Sequence, residues 1–290
     1  LNLRGITEYD PSEFTFTALA GTPVKEIVAT LAERGQYLPF DPMLVDAGST
    51  IGGVVASGLS GPGRFRYGGV RDFILGVRFV DGTGRLLRMG GKVVKNAAGF
   101  DVPKFLVGSL GRFGVIGEVT FKVFPRRASQ LTLQVAADVK TITRLANSRW
   151  EVDALDVLPG GGKIIMRLAG PDDALKILSQ EIFAKFPGEI VSDSIWKDLR
   201  EFRWAKPGSI LVKTPITPEK SPNFKSAHIS AGGNVAYSSF ASAAEIPANF
   251  SGLALRGDAP LWIGGRKKFP IEVAVKHALD PEHRFHTLDD

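Results

Sequence analysis

The chain contains no cysteine and only four histidines among its 290 residues. The absence of cysteine excludes disulfides, thiolate metal ligands and a cysteine nucleophile, and it is compatible with a reducing compartment. With so few histidines, a metal centre or catalysis by a histidine base is not expected. The four are His228, His277, His283 and His286. We therefore predict no metal site, and the sequence alone names no catalytic residue.

Long apolar runs are also missing. No stretch approaches the ~20 apolar residues that a membrane-spanning helix needs, so no transmembrane segment is expected. Arg4, Glu8 and Asp10 interrupt the start of the chain, which argues against a signal peptide. The chain begins LNLRGITEYD, without Met, as though inside a strand. We expect that a segment upstream of Leu1 is missing.

Basic residues outnumber acidic ones by 36 to 30, which gives a formal net charge of +6. A modest basic excess suits an anionic cofactor, an anionic substrate or an acidic partner subunit. The basic clusters Arg126-Arg127 and Arg266-Lys267-Lys268 are short, and they lack the interleaved aromatic residues of a single-strand groove. We expect no nucleic acid among the partners.

The pattern of the chain changes shortly after Pro125. Before it, a strand and helix at residues 14–35 precede a hairpin whose turn is Asp81-Gly82-Thr83-Gly84. Thr22 is expected to cap that helix and Pro23 to begin it. Beyond Pro125, glycine is sparser, and strands and helices alternate. The sequence therefore predicts two α+β domains, residues 1–126 and residues 127–290.

Three glycine-rich segments stand out in the first domain, at residues 48–72, 95–101 and 108–119. Glycines permit positive φ angles and close backbone approach, and successive N–H groups form anion-binding nests. The segments contain neither the phosphate-loop pattern G-x-x-x-x-G-K-[ST] nor a G-x-G-x-x-G that opens a helix. Tight turns with close strand packing are the alternative interpretation. Three such segments within 72 residues favour a ligand instead.

Four motifs follow one another in the order T-x-G-G-x-x-A-x-G, G-P-x-R-x-x-x-G-x-V-R-D, K-N-x-A-G-F-D and G-S-L-G-x-x-G-V-I-x-E-V. This order resembles the FAD-binding domains of the vanillyl-alcohol-oxidase type, also called PCMH-type. Within that family the chain is similar to the flavin subunits of bacterial glycolate oxidase. The resemblance is strong over residues 1–125 and weaker beyond, where LALRGDAPLWIG and VKHALDPEHRF carry it.

The resemblance implies an α+β fold, with a PCMH-type FAD-binding domain followed by a smaller α+β cap or substrate domain. It also implies cofactor contacts made by small residues and backbone groups. These fall at Gly48, Ser49, Thr50, Gly52 and Gly53 for the pyrophosphate; at Ser57, Gly58 and Gly61 for the ribityl chain or flavin; and at Gly114, Val115 and Ile116 for the adenine end or flavin edge.

The same resemblance implies the FAD-binding subunit of a glycolate-oxidase-like complex, in which a flavin takes two electrons from a 2-hydroxy acid such as glycolate. Without cysteine in this chain, any iron–sulfur cluster must sit on another subunit, beside a partner flavoprotein. The expected location is cytoplasmic, with attachment to the inner membrane made through those partners.

The sequence leaves two alternative functions open. Relatives carry an earlier glycine-rich loop, which would lie upstream of Leu1, so this chain is alternatively a scaffold subunit that has lost its flavin. The third interpretation is a stand-alone FAD-dependent dehydrogenase for D-lactate or a similar 2-hydroxy acid.

Some individual residues allow two interpretations each. Relatives that oxidise 2-hydroxy acids have a histidine-rich metal-binding strand, but HISAGGNVAY offers one histidine, so we expect His228 to be solvent-facing or hydrogen-bonded. Arg71 and Asp72 are expected to organise a loop rather than to contact flavin. Lys95 either stabilises a reduced flavin or belongs to a capped turn before a helix at Val102. The helix with Trp196 is expected to pack in a core rather than in an interface.

Overall fold

The computed structural model describes residues 2–91, 100–136, 141–223, 227–266 and 268–288. Lys95 and Asn96 lie outside the described residues. The chain divides into two compact units. The first unit comprises Leu1–Ser60, Gly68–Arg126 and Lys267–Asp290, and the second comprises Gly61–Tyr67 and Arg127–Arg266.

The strands and helices alternate along the chain. The strands are β1 (Ile6–Asp10), β2 (Thr15–Leu19), β3 (Gln36–Tyr37), β4 (Ile74–Val80), β5 (Leu86–Gly90), β6 (Val115–Lys122), β7 (Phe124–Pro125), β8 (Ser129–Ala136), β9 (Ala154–Val157), β10 (Lys163–Gly170), β11 (Gly188–Val191), β12 (Ile210–Pro215), β13 (His228–Ser230), β14 (Val235–Phe240), β15 (Gly252–Arg256) and β16 (Trp262–Ile263). The helices are α1 (Val24–Ala32), α2 (Ile51–Ser57), α3 (Arg64–Tyr67), α4 (Val70–Phe73), α5 (Val102–Leu106), α6 (Thr141–Ala146), α7 (Asp172–Phe183), α8 (Ser194–Arg200) and α9 (Pro270–Leu279). Among the described residues, no helix is long and apolar enough to cross a bilayer.

The two units differ from the two continuous domains expected from the sequence. The chain changes unit after Arg126, but its last segment, from Lys267, returns to the first unit. The reason is polar bonding in α9, where Lys276 Nζ donates to the carbonyl oxygen of Arg112 at 2.8 Å. The short segment 61–67 joins the second unit because Phe65 packs there against Gly232.

The first unit is built on a five-stranded sheet in the order β1-β2-β6-β4-β5, in which each strand pairs antiparallel with its neighbour. Its core is rich in phenylalanine: the rings of Phe16 and Phe121 stack with centroids 5.9 Å apart, and Phe40 lies 6.0 Å from Phe121. Helix α1 contributes Val24, Ile27 and Leu31 to the core, which recur at helical spacing.

The start of α1 differs from the sequence-based prediction. Pro23 occupies the N-cap position, and the Thr22 hydroxyl donates instead to the carbonyl oxygen of Leu19 at 2.6 Å. Thr22 therefore closes the turn after β2 and does not cap the helix. The predicted helix end is close to the observed one, with Gly35 at a φ angle of 63° just beyond α1.

The second unit contains a nine-stranded sheet in the order β11-β8-β10-β9-β13-β14-β12-β15-β16. Helices α6 and α7 supply Ile142, Leu175 and Ile182 to a core that includes residues of β8, β9 and β10. A smaller cluster holds Trp196 and Leu199 of α8. Trp196 is 3% exposed, so the expectation of core packing for this helix is confirmed.

Candidate cofactor site and a buried polar row

Helix α2 is set by the small residues of the first glycine-rich segment. Thr50 has extended backbone angles and caps the helix, because its Oγ1 accepts a hydrogen bond from the N–H of Gly53 at 3.2 Å. Gly58 ends the helix in the left-handed conformation, with a φ angle of 61°. These two caps limit the helix to seven residues, IGGVVAS.

The backbone donors at the start of α2 are already engaged within the domain. The N–H groups of Ile51 and Gly52 donate to the carbonyl oxygens of Thr22 and Ala20, at 3.0 and 2.8 Å. A Cβ on Gly52 would lie 2.6 Å from the Ala20 Cβ and 2.8 Å from its carbonyl oxygen. Glycine at position 52 is therefore required by packing against Ala20, independently of any ligand.

Two other glycines near the start of α2, Gly48 and Gly53, face open space. Gly48 has a φ angle of 85°, and a Cβ there would meet no atom within 4 Å. Gly53 is exposed, and a Cβ would meet only Thr50 Oγ1, at 3.3 Å. Ser49 Oγ is buried without a hydrogen-bond partner among the described residues. A bare surface with an unpaired hydroxyl beside it fits a phosphate group, which supplies hydrogen-bond acceptors.

The glycine-rich segment at residues 108–114, which we call the second glycine loop, touches the other end of α2. The N–H groups of Gly108 and Leu110 donate to the carbonyl oxygens of Val55 and Ala56, at 2.9 and 2.8 Å. A Cβ on Gly58 would come within 3.1 Å of the Gly108 nitrogen. The structure thus brings two of the three glycine-rich segments together around one helix.

This loop also contains open positions that were not among the predicted cofactor contacts. Gly108 and Gly111 have φ angles of 83° and 78°, with no atom within 4 Å of a Cβ. The sequence contained a signal for these two positions, because Gly108 and Gly111 are the glycines of the motif G-S-L-G. Gly114 differs, because a Cβ there would lie 2.7 Å from both the Phe79 ring and the Val80 carbonyl oxygen. Packing against β4 therefore explains why position 114 is a glycine.

The remaining predicted residues are dispersed. Val115 and Ile116 lie in β6, where they pair with Val80 and Phe79, and Val115 is 51% exposed. Among the described residues, Ser57 Oγ makes two long contacts, at 3.4 Å to the Val54 carbonyl oxygen and to the Leu59 N–H. Gly61 is buried and belongs to the second unit.

Two loop residues of the first unit have structural tasks. Asp72 accepts a hydrogen bond from the N–H of Gly69 at 2.8 Å, so it organises the start of α4; for Arg71 the same structural role stays a prediction. Asp101 caps α5 by accepting from the N–H of Lys104 at 3.2 Å. The capped turn before Val102, one of the two interpretations of this region, is therefore present.

A row of polar side chains crosses the sheet of the second unit. His228 pairs with Tyr237 on the next strand, and Tyr237 pairs with Lys213 on the strand beyond. His228 Nε2 lies 2.7 Å from Asp156 Oδ2, on the strand to the other side. We call these four residues the polar row. All four lie on one face of the sheet, because residues opposite one another in paired strands share a face.

The acidic end of the polar row is closed to solvent, and the Asp156 carboxylate is fully engaged there, whereas His228 Nδ1 is buried without a hydrogen-bond partner among the described residues. Asp156 is fully buried and also accepts hydrogen bonds from Ser230 Oγ at 3.0 Å and from the N–H of Ala231 at 3.1 Å. His228 is 1% exposed, so it is hydrogen-bonded and not solvent-facing. Among the described residues, no group of three potential ligands is placed to hold a metal ion.

The basic end of the row is different. Burial, and secondarily the nearby Arg64 guanidinium, lower the pKa of Lys213 to about 8. No carboxylate in the described part of the chain forms an ion pair with this ammonium. Burial raises the pKa of Tyr237 above its usual range, and Asp156 adds to the shift. Lys213 and Arg64 are both positively charged and lie near the neutral Tyr237 hydroxyl, so this end of the row provides a favourable environment for an anion.

Arg64 is brought to this place by segment 61–67. Phe65 occupies the space that a side chain at Gly232 would need, since its Cε2 lies 2.5 Å from the point that a Cβ on Gly232 would occupy. Arg66 forms an ion pair with Glu151 at 2.8 Å, and the Tyr67 hydroxyl accepts from Arg127 at 2.9 Å. These contacts fix the three residues that follow Arg64 to the second unit.

Comparisons with known proteins agree with this description. Residues 1–90 match the family described as FAD binding domain. In solved structures, an alkyldihydroxyacetonephosphate synthase superposes with a TM-score of 0.66 at 16% identity, over 98% of this chain and 65% of the synthase chain. The chain thus contains, over residues 1–90, an FAD-binding domain of the vanillyl-alcohol-oxidase type, and FAD is the cofactor of that class. The α+β fold class predicted from the sequence is confirmed.

Within this class, the chain is related to the glycolate oxidase subunits. It is 40% identical to glycolate oxidase subunit GlcE of Escherichia coli strain K12 over 205 residues, which are 68% of this chain and 56% of GlcE. It is 29% identical to glycolate oxidase subunit GlcD of Bacillus subtilis strain 168 over 158 residues, 54% of this chain and 33% of GlcD. The chain thus spans about half of GlcE and a third of GlcD. The resemblance drawn from the motifs is confirmed.

Proposed function

We propose that this chain is the FAD-binding subunit of a glycolate-oxidase-like complex that oxidises a 2-hydroxy acid, such as glycolate to glyoxylate. The observation that carries the proposal is the pair of glycine-rich segments packed around α2, in a chain 40% identical to GlcE over 205 residues. When bound, FAD would accept the two electrons released as the hydroxyl carbon becomes a carbonyl.

The first unit would hold the cofactor through small side chains and backbone. Ser49 Oγ and the open positions at Gly48 and Gly53 support a pyrophosphate beside the start of α2. Thr50 and Gly52 shape this end of the helix from within the domain. The other proposed contacts in this unit are Ser57 and Gly58 towards the ribityl chain or flavin, and Gly114, Val115 and Ile116 towards the adenine end or flavin edge; Gly61, predicted together with Ser57 and Gly58, belongs to the second unit.

The second unit would bind the substrate carboxylate. Lys213 is largely buried, lacks an acidic partner among the residues described, and stands near Arg64. Burying an unpaired ammonium is costly, and an anion that enters the site offsets this cost. A 2-hydroxy acid carries such an anion at neutral pH, and Tyr237 stays protonated beside it. This assignment favours a small carboxylate substrate over a neutral alcohol.

The complex would include further subunits. A relay through an iron–sulfur cluster would need another chain to supply the cysteines, since this one has none. A partner flavoprotein is proposed from the relationship to glycolate oxidase subunits. The proposed location is the cytoplasm, with partner subunits providing any contact with the inner membrane.

A scaffold subunit without its own flavin is the second candidate. It is favoured by the engaged N–H groups of Ile51, Gly52 and Gly53, which leave fewer backbone donors for a phosphate at the start of α2. The two candidates differ in one measurable property, the affinity of the chain for FAD.

The experiment is a titration of the purified chain with FAD, followed by flavin absorption and fluorescence. Saturable binding supports the flavin subunit. Gly53→Leu should weaken binding by about tenfold or more, because its side chain would occupy the open surface. Gly265→Leu is the matched control, since a Cβ at Gly265 meets no atom within 4 Å and this glycine lies in the second unit. Absence of binding to the unchanged chain would favour the scaffold.

A further inference from the structure

A buried lysine in α9 joins three parts of the first unit. Lys276 is 6% exposed, and its Nζ lies within hydrogen-bond distance of four oxygens. These are Asp280 Oδ2 at 2.6 Å, and the carbonyl oxygens of Arg112 at 2.8 Å, His286 at 2.9 Å and Phe285 at 3.3 Å. An ammonium has three protons, so this group is fully engaged inside the protein.

The segment that follows α9, residues 283–288, is held by two further charged side chains. Arg112 is 3% exposed, and its Nε donates to the Thr287 carbonyl oxygen at 2.9 Å. Asp280 is fully buried and accepts from the N–H groups of Arg284 at 2.8 Å and Phe285 at 3.0 Å. We call residues 283–288 the tail, and Lys276, Asp280 and Arg112 the clasp.

The clasp acts on the second glycine loop, because Arg112 belongs to that loop. Two N–H groups of the same loop, those of Gly108 and Leu110, donate to the carbonyl oxygens of Val55 and Ala56 at the end of α2. Leu110 has a φ angle of 53°, a conformation that a leucine keeps only when its surroundings hold it. A continuous set of bonds therefore runs from the tail through the loop to α2.

We propose that the clasp and the tail are positioning elements for the cofactor site. They hold the second glycine loop, and through it α2, in the arrangement that receives FAD; this inference rests on the proposed flavin function. Removing the ammonium would leave buried oxygens without their donor, which favours release of the loop and tail. The phenylalanine core around Phe16 and Phe121 makes no part of this network, so the rest of the unit should stay folded.

The test uses Lys276→Met and a chain that ends at Glu282. Hydrogen–deuterium exchange of the flavin-free chain is measured first. We expect exchange in residues 108–114 to accelerate by about tenfold or more in both variants, while β1 and β2 keep the rate of the unchanged chain. FAD titration should then show a dissociation constant raised by a similar factor.

Leu31→Ala is the matched control. It removes a fully buried side chain of the same unit without touching the clasp. It should lower the melting temperature while leaving exchange in residues 108–114 and FAD affinity near those of the unchanged chain. If the truncated chain does not fold, Lys276→Met alone decides. The proposal is overturned if loop exchange is unchanged, or if exchange rises equally across the whole first unit. Failure of the unchanged chain to bind FAD would instead overturn the flavin function. The exchange result would still decide whether the clasp holds the second glycine loop.

Discussion

His228 Nε2 lies 2.7 Å from Asp156 Oδ2, and both side chains are closed to solvent. The carboxylate also accepts from Ser230 and Ala231, so one residue satisfies three buried donors. This makes Asp156 the central residue of the polar row.

Replacing Asp156 with alanine should destabilise the second unit strongly. The change leaves His228, Ser230 and Ala231 without their common acceptor, and breaking such a buried pair costs about 3–5 kcal/mol. Chemical denaturation of the variant measures the loss in the free energy of unfolding. Asp198→Ala is the control, because its ion pair with Arg203 is half exposed and contributes about 1 kcal/mol or less. Equal losses in the two variants would contradict a central role for Asp156.

Two adjacent glycines should respond oppositely to alanine. Gly52→Ala forces a Cβ against Ala20 and should cost about 1–3 kcal/mol of unfolding free energy. Gly53→Ala places a methyl group on an exposed helical position, where only Thr50 Oγ1 must move slightly, and should be neutral or stabilising by up to about 1 kcal/mol. Thermal melts of both variants check the difference. A matching loss at the two positions would mean that Gly52 does not pack as described.

Lys213 should make stability depend on alkaline pH. Its pKa falls from the ordinary 10.5 to about 8 in the folded chain, so the unfolded chain binds more protons between those values. Burying the charged ammonium therefore lowers the free energy of unfolding by about 3 kcal/mol. This loss is complete below pH 8 and disappears as the pH rises towards 10.5. Lys213→Met should be more stable than the unchanged chain at pH 7, and this advantage should vanish near pH 10.

The same variant tests the carboxylate site. Glycolate should raise the melting temperature of the unchanged chain but not that of Lys213→Met. Lys176→Met, on an exposed position of α7, should respond like the unchanged chain. Protection of Lys213→Met by glycolate would show that the carboxylate binds elsewhere.

Asp81 should contribute to stability above acidic pH. The hydrogen bond from Thr83 Oγ1, together with bonds from Arg85 and from backbone N–H groups, outweighs burial and lowers the pKa of Asp81 to about 2. Its contribution is present above the ordinary value near 4 and is lost as the pH falls towards 2. Melting temperatures of Asp81→Asn and the unchanged chain should therefore differ at pH 6 and converge near pH 2. A constant difference would contradict this.

Local sequence patterns predicted the elements whose hydrogen bonds are local. The glycines at 160–162 all have positive φ angles and join β9 to β10 as a hairpin, as their sequence indicates. The turn at residues 81–84 joins β4 to β5 in the same way. In these places a short stretch contains both the strands and the turn that pairs them, so composition is sufficient.

Long-range contacts explain what the sequence did not reveal. Gly52 and Gly114 read as ligand positions, yet Ala20 and Phe79 lie against them, from segments more than 30 residues away. Asp156 stands 72 residues before His228 and is the one polar residue of strand β9, ALDV. That isolated carboxylate was the available signal, but its partner depends on strand order, which periodicity does not specify.

The bond between Arg112 and Thr287 spans 175 residues of chain. A ribosome that adds about 5–20 residues per second needs roughly 9–35 s to make that interval. During this time the nascent first unit has its sheet strands but lacks the Thr287 carbonyl oxygen that accepts from Arg112. The second glycine loop therefore lacks this bond, and stays accessible to proteases and chaperones, until the ribosome has added Thr287.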